Sequence, residues 1–143
     1  MMRTVSQLLQ GKGGSVWSVA PESSVFDALR LMAEKNCGAL LVMEGDRLRG
    51  IISERDYARK VILLGKSSHD LAVRAIMSDK VVCVGPKQTV DECMSLMSGR
   101  RIRHLPVLDG GKLIGMLSIG DLVKEVIADQ QMTIQQLESY IHS

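Results

Sequence analysis

Apolar and polar positions along the chain follow two alternating periods. The runs SVWSVAP (15–21) and VVCVGP (81–86) are short, rich in Val and ended by proline, so each predicts a short strand. SSVFDALRLMAEKN (23–36) sets Val25, Ala28, Leu29 and Met32 on one helical face, with Ser23 or Ser24 as N-cap. QTVDECMSLMSGR (88–100) does the same with Val90, Cys93, Met94 and Met97 behind a Thr89 cap. Two strand-like runs follow each helix: GALLVME and RLRGIIS around the turn residues GD, then RHLPVLD and KLIGMLS around GG. A second helix starts after each closing Ser, as ERDYARKVILLG (54–65) and IGDLVKEVIADQ (119–130).

The two sets are copies. A shift of 65 residues brings 13 identities into register between 16–60 and 81–125 without a gap, including Gly50, Ser53 and Asp56 on Gly115, Ser118 and Asp121. The predicted fold class is α/β: two β-α-β-β-α repeats packed about a pseudo-twofold axis. A unit of about 45 residues is too small to bury a sufficient core alone, and two such units together are not. The short segments VSQLLQ (5–10) and VRAIMS (73–78) precede the units and align at a shift of 68, which leaves three extra residues in the Gly-rich stretch GKGG, read as a loop. The expected divisions are an N-terminal helix and loop (1–15), repeat 1 (16–65), a linker (66–80), repeat 2 (81–128) and a C-terminal helix (129–143). In that last helix Ile134, Leu137 and Ile141 form one stripe, suited to covering the sheet or a partner chain.

Composition narrows the reading. Hydrophobic residues make up 45% and charged residues 24%, the balance of a folded globular chain, while aromatics at 3% leave the core to aliphatics and Met. The net charge of +2 is too small to draw nucleic acid or a membrane by bulk electrostatics. No apolar run reaches the ~18 residues of a membrane span, and the N-terminus lacks a secretory pattern, so a cytoplasmic location is expected. Three cysteines without C-x-x-C spacing point to apolar thiols rather than a disulfide framework or a zinc site.

The chemistry lies in the repeated Ser-x-x-Asp. Ser53 and Ser118 fall at N-cap positions, and Asp56 and Asp121 at the third helical position, where the helix dipole favours a carboxylate. Structurally this is a capping box. Functionally, the same carboxylate can accept two hydrogen bonds from a ribose diol, beside the free N–H groups of a helix N-terminus. Arg55 and Arg59 share a helix face next to Asp56, with Lys60 adjoining; they form either a solvated face or a diphosphate site.

The duplicated unit with Gly-x-x-Ser-x-x-Asp at its close, and RHLPVLDGGKLIG in the second copy, resembles a tandem pair of cystathionine β-synthase (CBS) domains over residues 1 to about 128. The resemblance implies a regulatory, non-catalytic module, usually a homodimer. Such a module binds adenine nucleotides between the two repeats: AMP as the first choice, with ATP or NAD as alternatives. It implies that Arg103 and His104 hold phosphates in the cleft closed by Ser118 and Asp121. The adenine slot there would come from Ser23, Ala28, Cys37, Gly38 and Met116. The first repeat has uncharged Gly38 and Ala39 where the second has Arg103 and His104, so the Ser118–Asp121 cleft is expected to suit AMP better. The Ser53–Asp56 cleft, with Thr89, Cys93, Ile102 and Ile51 as slot residues and Arg55, Arg59 and Lys60 as cations, is expected to suit a longer ligand.

Three rivals remain at this stage. No Ser/His/Asp or Cys/His arrangement and no acidic metal cluster supports catalysis. The basic stretch 99–104 (GRRIRH) could contact a nucleic-acid backbone but lacks aromatic stacking residues. A dimerisation module with empty clefts is the third. An effector protein is expected as partner.

Overall fold

A computed structural model describes residues 3–12 and 16–142. The elements, in order, are α1 (Val5–Lys12), β1 (Ser18–Val19), α2 (Val25–Lys35), β2 (Ala39–Glu44), β3 (Arg47–Ser53), α3 (Glu54–Tyr57), α4 (Val90–Arg100), β4 (His104–Asp109), β5 (Lys112–Ser118) and α5 (Ile119–His142). A five-residue π-helical turn, Ala58–Ile62, continues α3, and a single 3-10 turn, Val73–Ala75, lies between the repeats. The two-copy α/β architecture is the one the pattern predicts.

Both first helices start where the polar caps predict. Ser24 accepts from the Asp27 N–H and Thr89 from the Glu92 N–H. Both end on a left-handed residue, Asn36 and its counterpart Arg101. The antiparallel pairs β2–β3 and β4–β5 share one register, down to an irregularity after Val42 and at its counterpart Val107. The leading strands are weaker than their sequences suggest. SVWSVAP yields two strand residues parallel to β2, and VVCVGP only a bridge from Val84 to Val107.

Two further expectations change. The segment 129–143 is not a separate helix: α5 runs unbroken from Ile119 to His142. Of the Gly-rich stretch, Gly11 and Lys12 belong to α1, and 13–15 lie outside the described residues.

Each repeat has its own apolar core, and each core is completed by the segment that precedes the other repeat. Val5 and Leu8 of α1 pack with Val90, Cys93, Met97, Leu105, Leu117 and Leu122 of repeat 2. Val73 and Ile76 pack with Val25, Ala28, Met32, Leu40, Ile52 and Val61 of repeat 1. The backbone repeats the exchange bond for bond. Val5 N–H donates to the Gln88 carbonyl (2.8 Å) and Ser6 N–H to that of Pro86 (2.9 Å); Val73 donates to Ser23 (2.7 Å) and Arg74 to Pro21 (2.9 Å). All three cysteines are free, and burial pushes their thiols up. Among the described residues no helix is long and apolar enough to cross a membrane.

The glycines of the repeated Gly-x-x-Ser seat these crossing segments. A Cβ at Gly50 would lie 2.6 Å from the Ser78 carbonyl oxygen and 2.9 Å from Met77 Sδ, because Ser78 pairs with Ile51 on the open edge of β3. At Gly115 it would lie 2.7 Å from Leu9 Cδ2 of α1, the end of a flexible side chain. Gly50→Ala therefore destabilises the fold by about 1–3 kcal/mol through overpacking against backbone. Gly115→Ala costs less, because Leu9 can change rotamer. Urea denaturation of the two variants tests this ordering, and the reverse order would contradict it.

Candidate functional site

The site begins at the end of β3, where apolar burial stops and Ser53 turns the chain into α3. The Ser53 N–H and hydroxyl both donate to Asp56 Oδ2 (2.9 and 3.0 Å), and the Asp56 N–H donates back to Ser53 Oγ (3.2 Å). The reciprocal capping box is thus present, and it fixes the carboxylate at the mouth of a cleft. Asp56 Oδ1 faces only Lys60 Nζ at 3.5 Å, and that ammonium is held back by a 2.9 Å bond to the Ile76 carbonyl.

The cleft measures about 560 Å³ and lies between the repeats. Repeat 1 contributes Gly38, Ile51, Ser53, Glu54, Arg55, Asp56 and Arg59; the segment leaving the linker contributes Ser78, Lys80, Val81 and Val82; repeat 2 contributes Arg101, Ile102, Arg103 and His104. An adjoining groove of about 620 Å³ shares Arg55, Arg59, Arg101, Ile102 and Arg103, so the arginines stand in the wall between two openings. Volumes of this size are those of small-molecule sites. Five cations (Arg55, Arg59, Lys80, Arg101 and Arg103) face two carboxylates, Glu54 and Asp56. None of the five forms an ion pair or a side-chain hydrogen bond among the described residues, and an unpartnered arginine cluster is suited to bidentate capture of phosphate.

Two backbone features aim these side chains. The Arg103 carbonyl accepts from the Ile119 N–H (2.8 Å), tying it to the start of α5, as the Gly38 carbonyl accepts from Glu54 (3.0 Å) in the other repeat. Arg101 holds φ 55°, a left-handed conformation that costs an L-residue about 1–2 kcal/mol relative to right-handed backbone.

The second copy of the Ser-x-x-Asp pair is in a different state. Ser118 N–H and Oγ donate to Asp121 Oδ2 (2.8 and 3.0 Å), but the same oxygen also receives Lys12 Nζ at 2.7 Å. Lys12 donates in addition to the Met116 carbonyl (2.7 Å). Burial pushes the Asp121 carboxyl up, but hydrogen bonds from Lys12 and Ser118 outweigh it and hold the group below the usual carboxylate range. Lys12 latches this pair. Its counterpart at the 68-residue shift is Lys80, which lines the open cleft without such a bond.

Several sequence expectations are redistributed. Arg103 and His104, expected beside Ser118 and Asp121, line the cleft of Ser53 and Asp56, as does Gly38. His104 sits opposite Ser118 in the β4–β5 register, so it stands between the two pairs. Ile51, Ile102, Arg55 and Arg59 lie in the expected cleft. Ala28, expected in the slot of the Ser118–Asp121 cleft, is fully buried in the core of repeat 1, and the partly buried Cys37 packs against that core. Ser23 is engaged through its carbonyl with Val73, Thr89 caps α4, Met116 accepts from Lys12, and Lys60 is turned to Ile76. Lys12, Lys80 and Arg101 were not expected. The shift of 68 that pairs VSQLLQ with VRAIMS already carries Lys12 onto Lys80, and extending it would have found both.

The CBS domain sequence profile matches residues 14–62 and 73–128, both copies of the unit. The chain belongs to the CBS domain family. The CBS domain-containing protein CBSX3, mitochondrial, from Arabidopsis thaliana is 40% identical over 148 residues, 96% of this chain and 71% of that protein. A structure of a putative signal-transduction protein with CBS domains from Burkholderia ambifaria is 56% identical with a TM-score of 0.86, covering 90% of this chain and 96% of that one. The CBS domain pair of protein MJ0100, solved in complex with 5′-methylthioadenosine and S-adenosyl-L-methionine, shares the fold at 21% identity and a TM-score of 0.80, over 90% and 99% of the two chains.

His104 of this CBS pair gives a pH test. Burial lowers its pKa, Lys12 and Arg103 lower it further, and Asp121 opposes them, so the fold holds a neutral imidazole. Below about pH 6.5 the unfolded chain takes the proton more readily, and the native state loses stability as pH falls from there toward the depressed folded value. Wild type should therefore lose stability relative to His104→Gln between pH 7 and 5. A difference in unfolding free energy that stays constant across that range would contradict the assignment.

Proposed function

We propose that this CBS pair is a regulatory module that binds an adenine nucleotide carrying two or three phosphates, ATP or ADP, in the open cleft between its repeats. Asp56 Oδ1 accepts the ribose hydroxyls, Val81, Val82, Ile51 and Ile102 flank the base, and Arg55, Arg59, Arg101, Arg103 and Lys80 take the phosphates. The observation that carries the reading is the charge asymmetry between the two Ser-x-x-Asp pairs. Around Asp56 five cations stand unpaired in a cavity, whereas Asp121 already holds a lysine. A polyphosphate at Asp56 accords with the longer ligand expected there from Arg55 and Arg59, and the proposal puts the nucleotide there rather than as AMP at Asp121. The adenosine compounds held by MJ0100 support the ligand class. The inward convergence of Arg101, Arg103 and His104 favours a small anion over the nucleic-acid reading of 99–104.

Signalling follows by population shift. A ligand touching β3, α3 and the start of β4 at once favours one relative setting of the repeats by its differential affinity, and a partner protein reads that setting.

Calorimetry and thermal shift with adenosine, AMP, ADP and ATP test the proposal, since a ligand selective for the folded chain raises its Tm. Asp56→Asn should weaken ATP by about 1.5–3 kcal/mol, the range for hydrogen bonds to a charged group, while Asp121→Asn leaves it unchanged. Arg103→Ala should weaken ATP more than adenosine. Absence of adenylate binding, or an Asp56→Asn chain that binds ATP as wild type does, would overturn the reading.

Arg101 provides a second prediction in which stability and binding move oppositely. Arg101→Gly relieves the left-handed backbone and should raise stability by about 1 kcal/mol, while weakening ATP. A variant that loses both, or keeps both, would contradict a phosphate role for Arg101.

A further inference from the structure

Among the described residues, the long helix α5 joins the apolar core of repeat 2 at its start, through Ile119, Leu122 and Val126. From 127 to 141 every residue is exposed, a projection of about 22 Å. A single helical segment of that length is marginal in water without a partner. Its apolar residues are not scattered. Val123, Ile127, Gln130, Ile134, Leu137 and Ile141 are spaced 4, 3, 4, 3 and 4, a heptad seam in which the one polar member is Gln130. The five apolar members are 41% to 74% exposed.

We propose that this seam pairs with the same seam of a second copy of this chain as a parallel two-stranded coiled coil. Three observations select that occupant. Ile at 127, 134 and 141 fills every a position, and Leu137 a d position, the pattern that favours two strands. The flanking Lys124, Gln131, Thr133 and Glu138 bring no like charges together in a parallel pair. Gln130 is self-complementary: in parallel register its amide meets its twin and both are hydrogen-bonded. Antiparallel pairing would face each Gln130 with Ile134 of the other chain and gain only exposed Lys124–Glu138 pairs, which contribute less than two buried unpaired amides cost. The inference stands apart from the nucleotide reading, since no seam residue lines the cleft.

The test uses the full chain. Gln130→Cys should oxidise in air to a disulfide-linked dimer, because the two sulfurs face each other across the seam, while Met132→Cys, on the outward face, and the parent with its three native cysteines remain unlinked. In sedimentation equilibrium Ile134→Asp should raise the dimer dissociation constant ~100-fold or more, because it buries two like charges in one layer. These side chains are exposed in the single chain, so folding is retained, and an unchanged ATP-induced Tm rise in Ile134→Asp would separate the two proposals. A monomeric wild type, equal linking at 130 and 132, no linking at 130, or an Ile134→Asp dimer of unchanged affinity would each overturn the coiled coil.

Discussion

Everything in this molecule depends on the exchange of two short segments between the repeats. Residues 3–12 complete the core of repeat 2 and residues 71–78 complete that of repeat 1, with the same backbone bonds at Pro86 and Gln88 as at Pro21 and Ser23. Val5 and Val73 are wholly buried, each worth roughly 1.5–3 kcal/mol of burial. Neither repeat closes its core from its own ~45 residues. The crossing binds each repeat to the segment preceding the other and places the cleft where the extended segment 78–82 passes over the junction.

That constraint also explains the Gly of the repeated motif. Ser78 pairs with Ile51 because Gly50 offers no Cβ to its backbone, and Gly115 gives the Leu9 side chain of α1 room on β5. The crossing segments then carry their own lysines to the two carboxylates. Lys12 ends α1 with its ammonium on Asp121, while Lys80, two residues past Ser78, lines the cleft of Asp56 without reaching it. A small difference in path between two pseudo-equivalent segments puts Lys12 on one carboxylate at 2.7 Å and leaves the other, among the described residues, with the longer 3.5 Å contact of Lys60.

The repeat, its strand pairs and both caps were legible in sequence because they rest on local signals: Ser24, Thr89, the GD and GG turns, and a register that a 65-residue shift reveals. The leading strand of repeat 2 was not, because the apolar run 81–84 forms one bridge and otherwise borders the cleft. The unbroken α5 is not marked as such in sequence, because its apolar stripe shifts face where the helix leaves the core, which resembles the start of a new element. At the site, the identity of the Ser-x-x-Asp pairs was legible, but the grouping of Arg103 and His104 was not. Sequence assigns each cation to its own repeat, whereas the pseudo-twofold packing carries the start of β4 to the end of β3 in the other repeat.

The charge distribution then connects site to dynamics. The five cations gathered in one cleft outnumber its two carboxylates and repel one another, and the Arg101 backbone adds local strain. These terms act across the junction, since Arg55 and Arg59 belong to repeat 1 and Arg101 and Arg103 to repeat 2. The repulsion pushes the two repeats apart at this cleft, while Lys12 neutralises Asp121 on the other side of His104. In the proposed binding mode an anion in the cleft would remove this repulsion and leave the Lys12–Asp121 contact unchanged, so its binding energy would act at the Asp56 side of the junction.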